Sequence, residues 1–531
     1  MSLILLKSIQ KPKRSFLTQK LVSKFSSRLH YKGTSWSPER DTNYKLPDVR
    51  DIIQEDKIFE ALEKTKKKAK DKYAIKEILE KAKDHALLKN IKEDLKDEFV
   101  QGLTLEETAT LLNMDTKNKD LLDELFNTAL FIKQRIYGNR IVLFAPLYVS
   151  NYCTGGCLYC GYRGSNTDIP RSKLTKQELI NEVIALENQG HKRILMLTGE
   201  HPIYPFDEFL DALKTAYAVK SPPHGEIRRI NVEIPALSVS DFKRLKATNC
   251  VGTYTLFQET YHRDSFNKMH PNGAKSDYEY RLLTMDRAQI GGMDDIGIGA
   301  LYGLFDYRFE VLSLLQHAQH LDKAYHAGPH TISVPRIRPA KNTPLAYNPP
   351  YAIDDITFKK IVAILRCSVP YTGMILSTRE TTEMRKEVMK LGVSQISAGS
   401  ITSVGSYSKE KQNSESKGQF SISDQRNTDQ VIQDLLKDGF VPSFCTGCYR
   451  LGRTGENFMK IAKKGDIANM CLPNALTTTA EYLIDYAPKE TAKIGWETIS
   501  KELPNIPNPS TRELTRKNIE KIKKGQRDLY L

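Results

Sequence analysis

Between residues 140 and 400 apolar side chains arrive in short, dense runs: RIVLFAPLYVS, RILMLTGE, RINVEIPAL, GTYTLFQET, DIGIGALYGL, HTISVPRIRP, GMILSTRE and SQISAGS. Runs of this length, rich in Val, Ile, Tyr and Phe and bounded by Gly, Pro or Ser, predict strands. Between them apolar positions recur every three or four residues, as in KQELINEVIALENQG and YRFEVLSLLQHAQHLDKAY, and that spacing predicts helices. Eight strands alternating with helices over about 260 residues predict an α/β fold, a (β/α)8 barrel whose working face is built by the loops after the strands.

The flanks read differently. Residues 39–139 predict a helical N-terminal region rich in Lys, Glu, Leu and Ala, and Thr104 followed by Glu107 has the spacing of a capping box. The barrel is expected over 140–404. A polar, Ser-rich stretch within 405–426 predicts a loop, and a C-terminal domain over 405–531 ends in a basic helical segment.

Charge changes the picture at one end. The formal net charge is +15, yet residues 1–38 carry eight Lys or Arg and no acid, which leaves about +7 over the remainder. A basic, acid-free, Ser-containing leader predicts an organelle transit peptide over 1–38. The excess charge forms no basic patch with interleaved aromatics, so a nucleic-acid partner is not expected. No apolar run approaches the roughly 18 to 20 residues a membrane span needs, so no membrane partner is expected.

Six of the eight cysteines fall into two groups: Cys153, Cys157 and Cys160 as C-x3-C-x2-C, and Cys445, Cys448 and Cys471 as C-x2-C-x22-C. Clustered thiols in a large chain predict metal ligation rather than disulfides. Thiolates suit zinc or an iron–sulfur cluster. Each group stops at three, where a closed structural site wants four protein ligands. The first group follows the first strand, on the predicted working face. Cys250 and Cys367 stand alone and predict small buried hydrophobes.

The stretch SNYCTGGCLYCGYR resembles the radical S-adenosylmethionine (SAM) superfamily, including the aromatic Tyr159 before the last cysteine. That resemblance implies a [4Fe-4S] cluster on Cys153, Cys157 and Cys160, with one iron open to SAM. It places Tyr159 near the adenine and Thr198, Gly199 and Glu200 near the SAM amine, with Glu233 facing the ribose hydroxyls. With the second cysteine group, and with FQETYHRDSFNKMHP, GPHTISVPRIRPA, ISAGS and PSFCTGCYR, the chain resembles the tyrosine-cleaving maturases of [FeFe]-hydrogenase.

The narrower resemblance implies cleavage of L-tyrosine to p-cresol and dehydroglycine, then CO and cyanide collected on an additional iron at a second [4Fe-4S] cluster held by Cys445, Cys448 and Cys471. Arg336 and Arg338, at the end of the sixth predicted strand, are the candidates for the tyrosine carboxylate, since guanidinium forks bind carboxylates two-pronged. His320 is the first candidate ligand for the extra iron, with His330 next, and a structural ion pair or packed histidine is the plain alternative in each case. Expected partners are L-tyrosine, SAM, a reductant such as ferredoxin and other hydrogenase maturation proteins. The expected address is a hydrogenosome or related organelle matrix, or a chloroplast. Two other readings compete: the tyrosine lyase of thiamine synthesis (2-iminoacetate synthase), whose pattern lacks the C-terminal cysteines, and a non-catalytic iron–sulfur scaffold.

Overall fold

The computed structural model describes Trp36 and residues 44–88, 102–409, 417–464 and 466–531. The predicted alternation folds as expected. Eight parallel strands, β1 (Arg140–Ser150), β2 (Arg193–Thr198), β3 (Arg229–Glu233), β4 (Val251–Thr255), β5 (Asp295–Gly299), β6 (Thr331–Ser333), β7 (Gly373–Leu376) and β8 (Gln395–Ser397), pair in sequence order, and β8 closes on β1. A ninth strand that the pattern did not mark, β9 (Val441–Ser443), runs parallel to the start of β1, with Arg140 opposite Val441. The C-terminal region is thus tied into the barrel wall.

Side-chain alternation sorts each strand. On β1, Ile141, Leu143, Ala145, Leu147 and Val149 join the main core, while Arg140, Val142, Phe144 and Tyr148 line cavities inside the barrel. The surrounding helices bury their apolar stripes against the outward-facing set. Lys176–Glu187 begins at Thr175, whose side chain and that of Glu178 form a capping box, a device that contributes about 1 kcal/mol. The predicted box at Thr104 and Glu107 opens Leu105–Asn113 in the same way. That helix and Glu55–Thr65 pack on Tyr307–Tyr325, and Lys119–Tyr137 lies along Asp355–Ser368.

The leader expected over 1–38 lies outside the described residues except at Trp36. That indole is buried against Phe206 and Phe209 and donates Nε1–H to the Tyr204 carbonyl at 2.8 Å. Trp36 thus packs on the folded body, two residues inside the stretch expected as leader. Among the described residues no helix is long and apolar enough to cross a membrane.

Candidate functional site

The first three cysteines sit in the loop leaving β1, at the C-terminal end of the barrel. Neighbouring segments pin this loop. Thr154 N–H donates to Glu200 O (2.9 Å), Gly156 N–H to Asn272 O (3.2 Å), Leu158 N–H to Met269 O (3.1 Å) and Gly161 N–H to Gln419 O (3.1 Å). Thr198 ends β2, and Gly199 and Glu200 follow it beside the cysteine loop; a side chain at Gly199 would run into the Tyr152 carbonyl, so the close approach requires glycine. Tyr159 is fixed by a 2.7 Å hydrogen bond between its hydroxyl and His270 Nε2.

All three thiols are free, and burial pushes each of them up. Two of the sulfurs face donors: Gly155 N–H at 3.3 Å from Cys153, with Tyr162 N–H at 3.4 Å and Gln419 Nε2 at 3.5 Å from Cys160. A Cβ on Gly155 would lie 3.4 Å and 3.6 Å from the sulfurs of Cys153 and Cys157, in space that glycine leaves open between them. Among the described residues no three His, Cys, Asp or Glu side chains converge on a single metal ion. Three free sulfurs, two of them facing N–H donors, spread around a space rather than a point, fit the thiolate set of an iron–sulfur cluster. Beside them Glu259 sits at φ +71°, held ionised near pKa 2 against its own burial by Lys275 and Arg281. A left-handed backbone at a residue other than glycine is the strain that functional sites retain.

Below this loop lies a cavity of about 90 Å³ lined by the last inward-facing residues of the strands, among them Phe144, Tyr148, Leu197, Glu233 and Phe257. Its guanidinium is Arg379, just past β7, stacked 3.4 Å from the centroid of Phe420. Arg336 and Arg338 turn elsewhere. Arg336 pairs two-pronged with the buried carboxylate of Glu380 and reaches Asp355 at 2.8 Å, and Arg338 donates to the same Glu380 at 2.7 Å. Neither lines the cavity, because an internal carboxylate already takes both forks.

A second cavity, of about 50 Å³, opens at the other end of the same barrel. Its lining includes the first residues of five strands, Arg140, Arg193, Arg229, Gly373 and Gln395, and all three of Cys445, Cys448 and Cys471. Cys448 is pulled down to about 6, first by a hydrogen bond from the Cys471 thiol and then, against burial, by the guanidinia of Arg453, Arg140 and Arg229; the Cys471 thiol moves up in exchange. Among the described residues the buried Arg140 Nε, Arg193 Nε and His330 Nδ1 of this lining make no hydrogen bond, and His330 Nδ1 stands 3.5 Å from Asp295 Oδ1. Burial drops His330 to about 4, leaving the neutral imidazole that metal ligation requires.

His320 is absent from this lining. It lies on the outer helix Tyr307–Tyr325, with its Nε2 2.7 Å from Oδ1 of Asp286 on the neighbouring helix Thr284–Ile290. His330 comes just before β6 and reaches the N-terminal end of the barrel, so it replaces His320 as the histidine beside the second triad. The sulfurs, guanidinia and neutral imidazole fit an anionic thiolate-held cluster with a further iron.

Between the cavities β4, β5 and β6 turn the small residues Thr255, Gly297 and Thr331 inward, beside apolar Leu195 and Ile375. A Cβ on Gly297 would lie 2.5 Å from Thr331 Oγ1 and 2.7 Å from Thr255 Oγ1. From Arg229 to Glu233 on β3, the two cavities are about 13 Å apart along the strand.

Residues 147–315 match the radical SAM superfamily, and residues 333–441 match the Biotin and Thiamin Synthesis associated domain. The chain is 30% identical over 340 residues to the 2-iminoacetate synthase of Escherichia coli K12, covering 63% of this chain and 85% of that one. Two solved structures are similar over their whole length. A crystal structure of HydG, a maturase of the [FeFe]-hydrogenase, shares 49% identity with a TM-score of 0.84, covering 91% of this chain and 100% of that one. The FeFe-hydrogenase maturase HydG from Carboxydothermus hydrogenoformans shares 36% with a TM-score of 0.74, covering 90% and 100%. A SAM-type cysteine loop above the barrel, a second triad below it and full-length likeness to these structures agree: the chain belongs to the HydG family of [FeFe]-hydrogenase maturases, within the radical SAM superfamily.

Proposed function

We propose that the protein cleaves L-tyrosine to p-cresol and dehydroglycine and converts the latter into CO and cyanide for the diiron centre of [FeFe]-hydrogenase. The observation that carries this reading is the placement of two cysteine triads at opposite ends of one barrel. A cluster bound by Cys153, Cys157 and Cys160 would supply reductive cleavage of SAM to methionine and a 5′-deoxyadenosyl radical. The upper cavity offers one guanidinium, one carboxylate and aromatic walls, which is the complement of an aromatic amino acid. Arg379 holds the carboxylate of tyrosine in a two-pronged grip, the role first expected of Arg336 or Arg338.

At the lower end Cys445, Cys448 and Cys471 would hold the second cluster and His330 the additional iron. Arg140, Arg193 and Arg229 make that end attractive to anions, including the carboxylate of dehydroglycine and cyanide. A ferredoxin-type reductant and the other maturation proteins complete the system, and the basic leader directs it to a hydrogen-producing organelle.

Anaerobically reconstituted protein given SAM, L-tyrosine and reductant is expected to yield p-cresol, CO and cyanide. Formation of p-cresol without CO would return the chain to the thiamine-type reaction, and intact SAM would leave only a scaffold.

A further inference from the structure

Product stoichiometry places a demand on the upper cavity. Tyrosine arrives with its α-nitrogen as an ammonium bearing three hydrogens. It leaves as p-cresol and the free imine of glyoxylate, whose nitrogen bears a single hydrogen, so that nitrogen gives up two. One leaves as the atom taken by the deoxyadenosyl radical. The other leaves as a proton, and a proton needs an acceptor in a site that excludes water.

We propose that Glu233 is that acceptor: its carboxylate receives a proton from the α-ammonium of bound tyrosine, leaving the free amine beside the radical. This rests on the tyrosine-cleaving reading and names a group for it. In the transfer one N–H bond breaks and one O–H bond forms, the ammonium becomes an amine and the carboxylate a carboxylic acid. No electron moves.

The alternation of β3 sets the position. Arg229 and Glu233 both face the barrel interior, four residues apart, one in each cavity. Ile230 and Val232 between them point into the outer core. Glu233 therefore stands at the top of the strand, in the cavity that Arg379 also lines. Among the described residues no hydrogen-bond donor reaches its carboxylate. Leu195, Leu197 and Phe257 line the same cavity with apolar surface, and a half-buried carboxylate without a donor among the described residues is satisfied best when a ligand brings one.

The charged and titratable groups around it come from several elements. Tyr148 stands on β1 and Arg379 past β7, while Glu259, Lys275 and Arg281 follow β4. Lys275 and Arg281 both pair with Glu259, leaving one positive charge in excess among the three. Burial first, then the repulsion of Glu259, lift Glu233 to about 7, with Arg379 opposing. An acceptor near neutrality can take the proton once the ammonium enters the same low-dielectric cavity, where desolvation disfavours its charged form. Losing both charges together also suits a cavity of low dielectric. Glu259, already fixed by two cations, has no such freedom.

The test is p-cresol formation by Glu233→Gln and Glu233→Asp, with KM for tyrosine and for SAM measured from pH 6 to 9. Cluster content and melting temperature confirm that the variants are folded. In the wild type, kcat/KM for tyrosine should rise through a group near pH 7. Glu233→Gln should lose that limb and run about 10²- to 10⁴-fold slower at pH 7, recovering as pH rises and the free amine forms unaided. KM for SAM should stay within about twofold, and Glu233→Asp should keep the limb at a lower rate. An unchanged pH profile in Glu233→Gln would overturn the proposal. So would a raised KM for SAM with tyrosine kinetics intact, which would put this carboxylate on the ribose hydroxyls. Wild-type protein that makes no p-cresol would instead remove the tyrosine-cleaving reading itself.

Discussion

At the upper end of the barrel burial raises all three thiols, and the charges nearby are mixed, with Glu233 and Glu259 set against Lys275, Arg281 and Arg379. At the lower end the first inward-facing positions of β1, β2 and β3 are all arginine, and Cys448 is already poised as a thiolate. The same alternating strands build both sites. What differs is which end of the strand carries the charge, as on β3, where Arg229 and Glu233 share one face. The upper thiols need a metal to draw off their protons, whereas the lower site meets its metal with one thiolate formed. The three guanidinia make the lower end the more attractive of the two to anions.

The sharpest way to break this comparison is to delete one end. Cys445→Ser should abolish CO formation and one of two electron paramagnetic resonance signals while p-cresol continues. Cys153→Ser should abolish p-cresol as well. Loss of p-cresol in Cys445→Ser would mean that the ends do not work independently.

A smaller effect separates the arginines of the upper end. Arg379→Lys removes a fork that a single ammonium cannot replace, and kcat/KM for tyrosine should fall about 10- to 100-fold, the worth of a hydrogen bond to a charged group. Arg336→Met should leave KM for tyrosine unchanged and lower stability by up to about 3 kcal/mol, since breaking a buried pair costs roughly 3–5 kcal/mol and Arg338 still covers Glu380. A tyrosine KM that moves in Arg336→Met and holds in Arg379→Lys would exchange their roles. Denaturant melts and steady-state kinetics decide.

The barrel was legible because its signal is periodic: eight apolar runs became the eight strands of the closed barrel. β9, only three residues long, is too short to carry a pattern, and its pairing with β1 is a tertiary choice. Cysteine spacing identified both triads, since thiols at such intervals have few other uses. The choice among like residues was not legible. Arg336, Arg338 and Arg379 all follow strand ends, and the partner that removes the first two, Glu380, is a distant carboxylate whose burial no pattern announces. His320 and His330 divide on where a helix stops, because the inward turn before β6 brings the later histidine under the barrel. Gln419, which reaches the sulfur of Cys160, comes from a Ser-rich stretch with no periodicity.

The finest test concerns one proton. In metal-free protein Cys448 is a thiolate above about pH 6, while burial keeps Cys153, Cys157 and Cys160 protonated past the ordinary thiol range. Because the thiolate is the nucleophile, iodoacetamide at pH 7 should label Cys448 ahead of the upper three by more than about tenfold, read by peptide mass. Lowering the pH through 6 protonates Cys448 and should erase the preference; raising it towards 9 should not increase Cys448 labelling further. Arg453→Ala removes one guanidinium that favours the thiolate, so the midpoint should move upward while the hydrogen bond from Cys471 retains part of the depression. Cys471→Ser keeps a donor of similar shape and should move the midpoint less than Cys471→Ala. Equal labelling of both triads at pH 7 would show that the arginines at the strand starts do not set the lower site apart, and the two ends would then differ in ligand spacing alone.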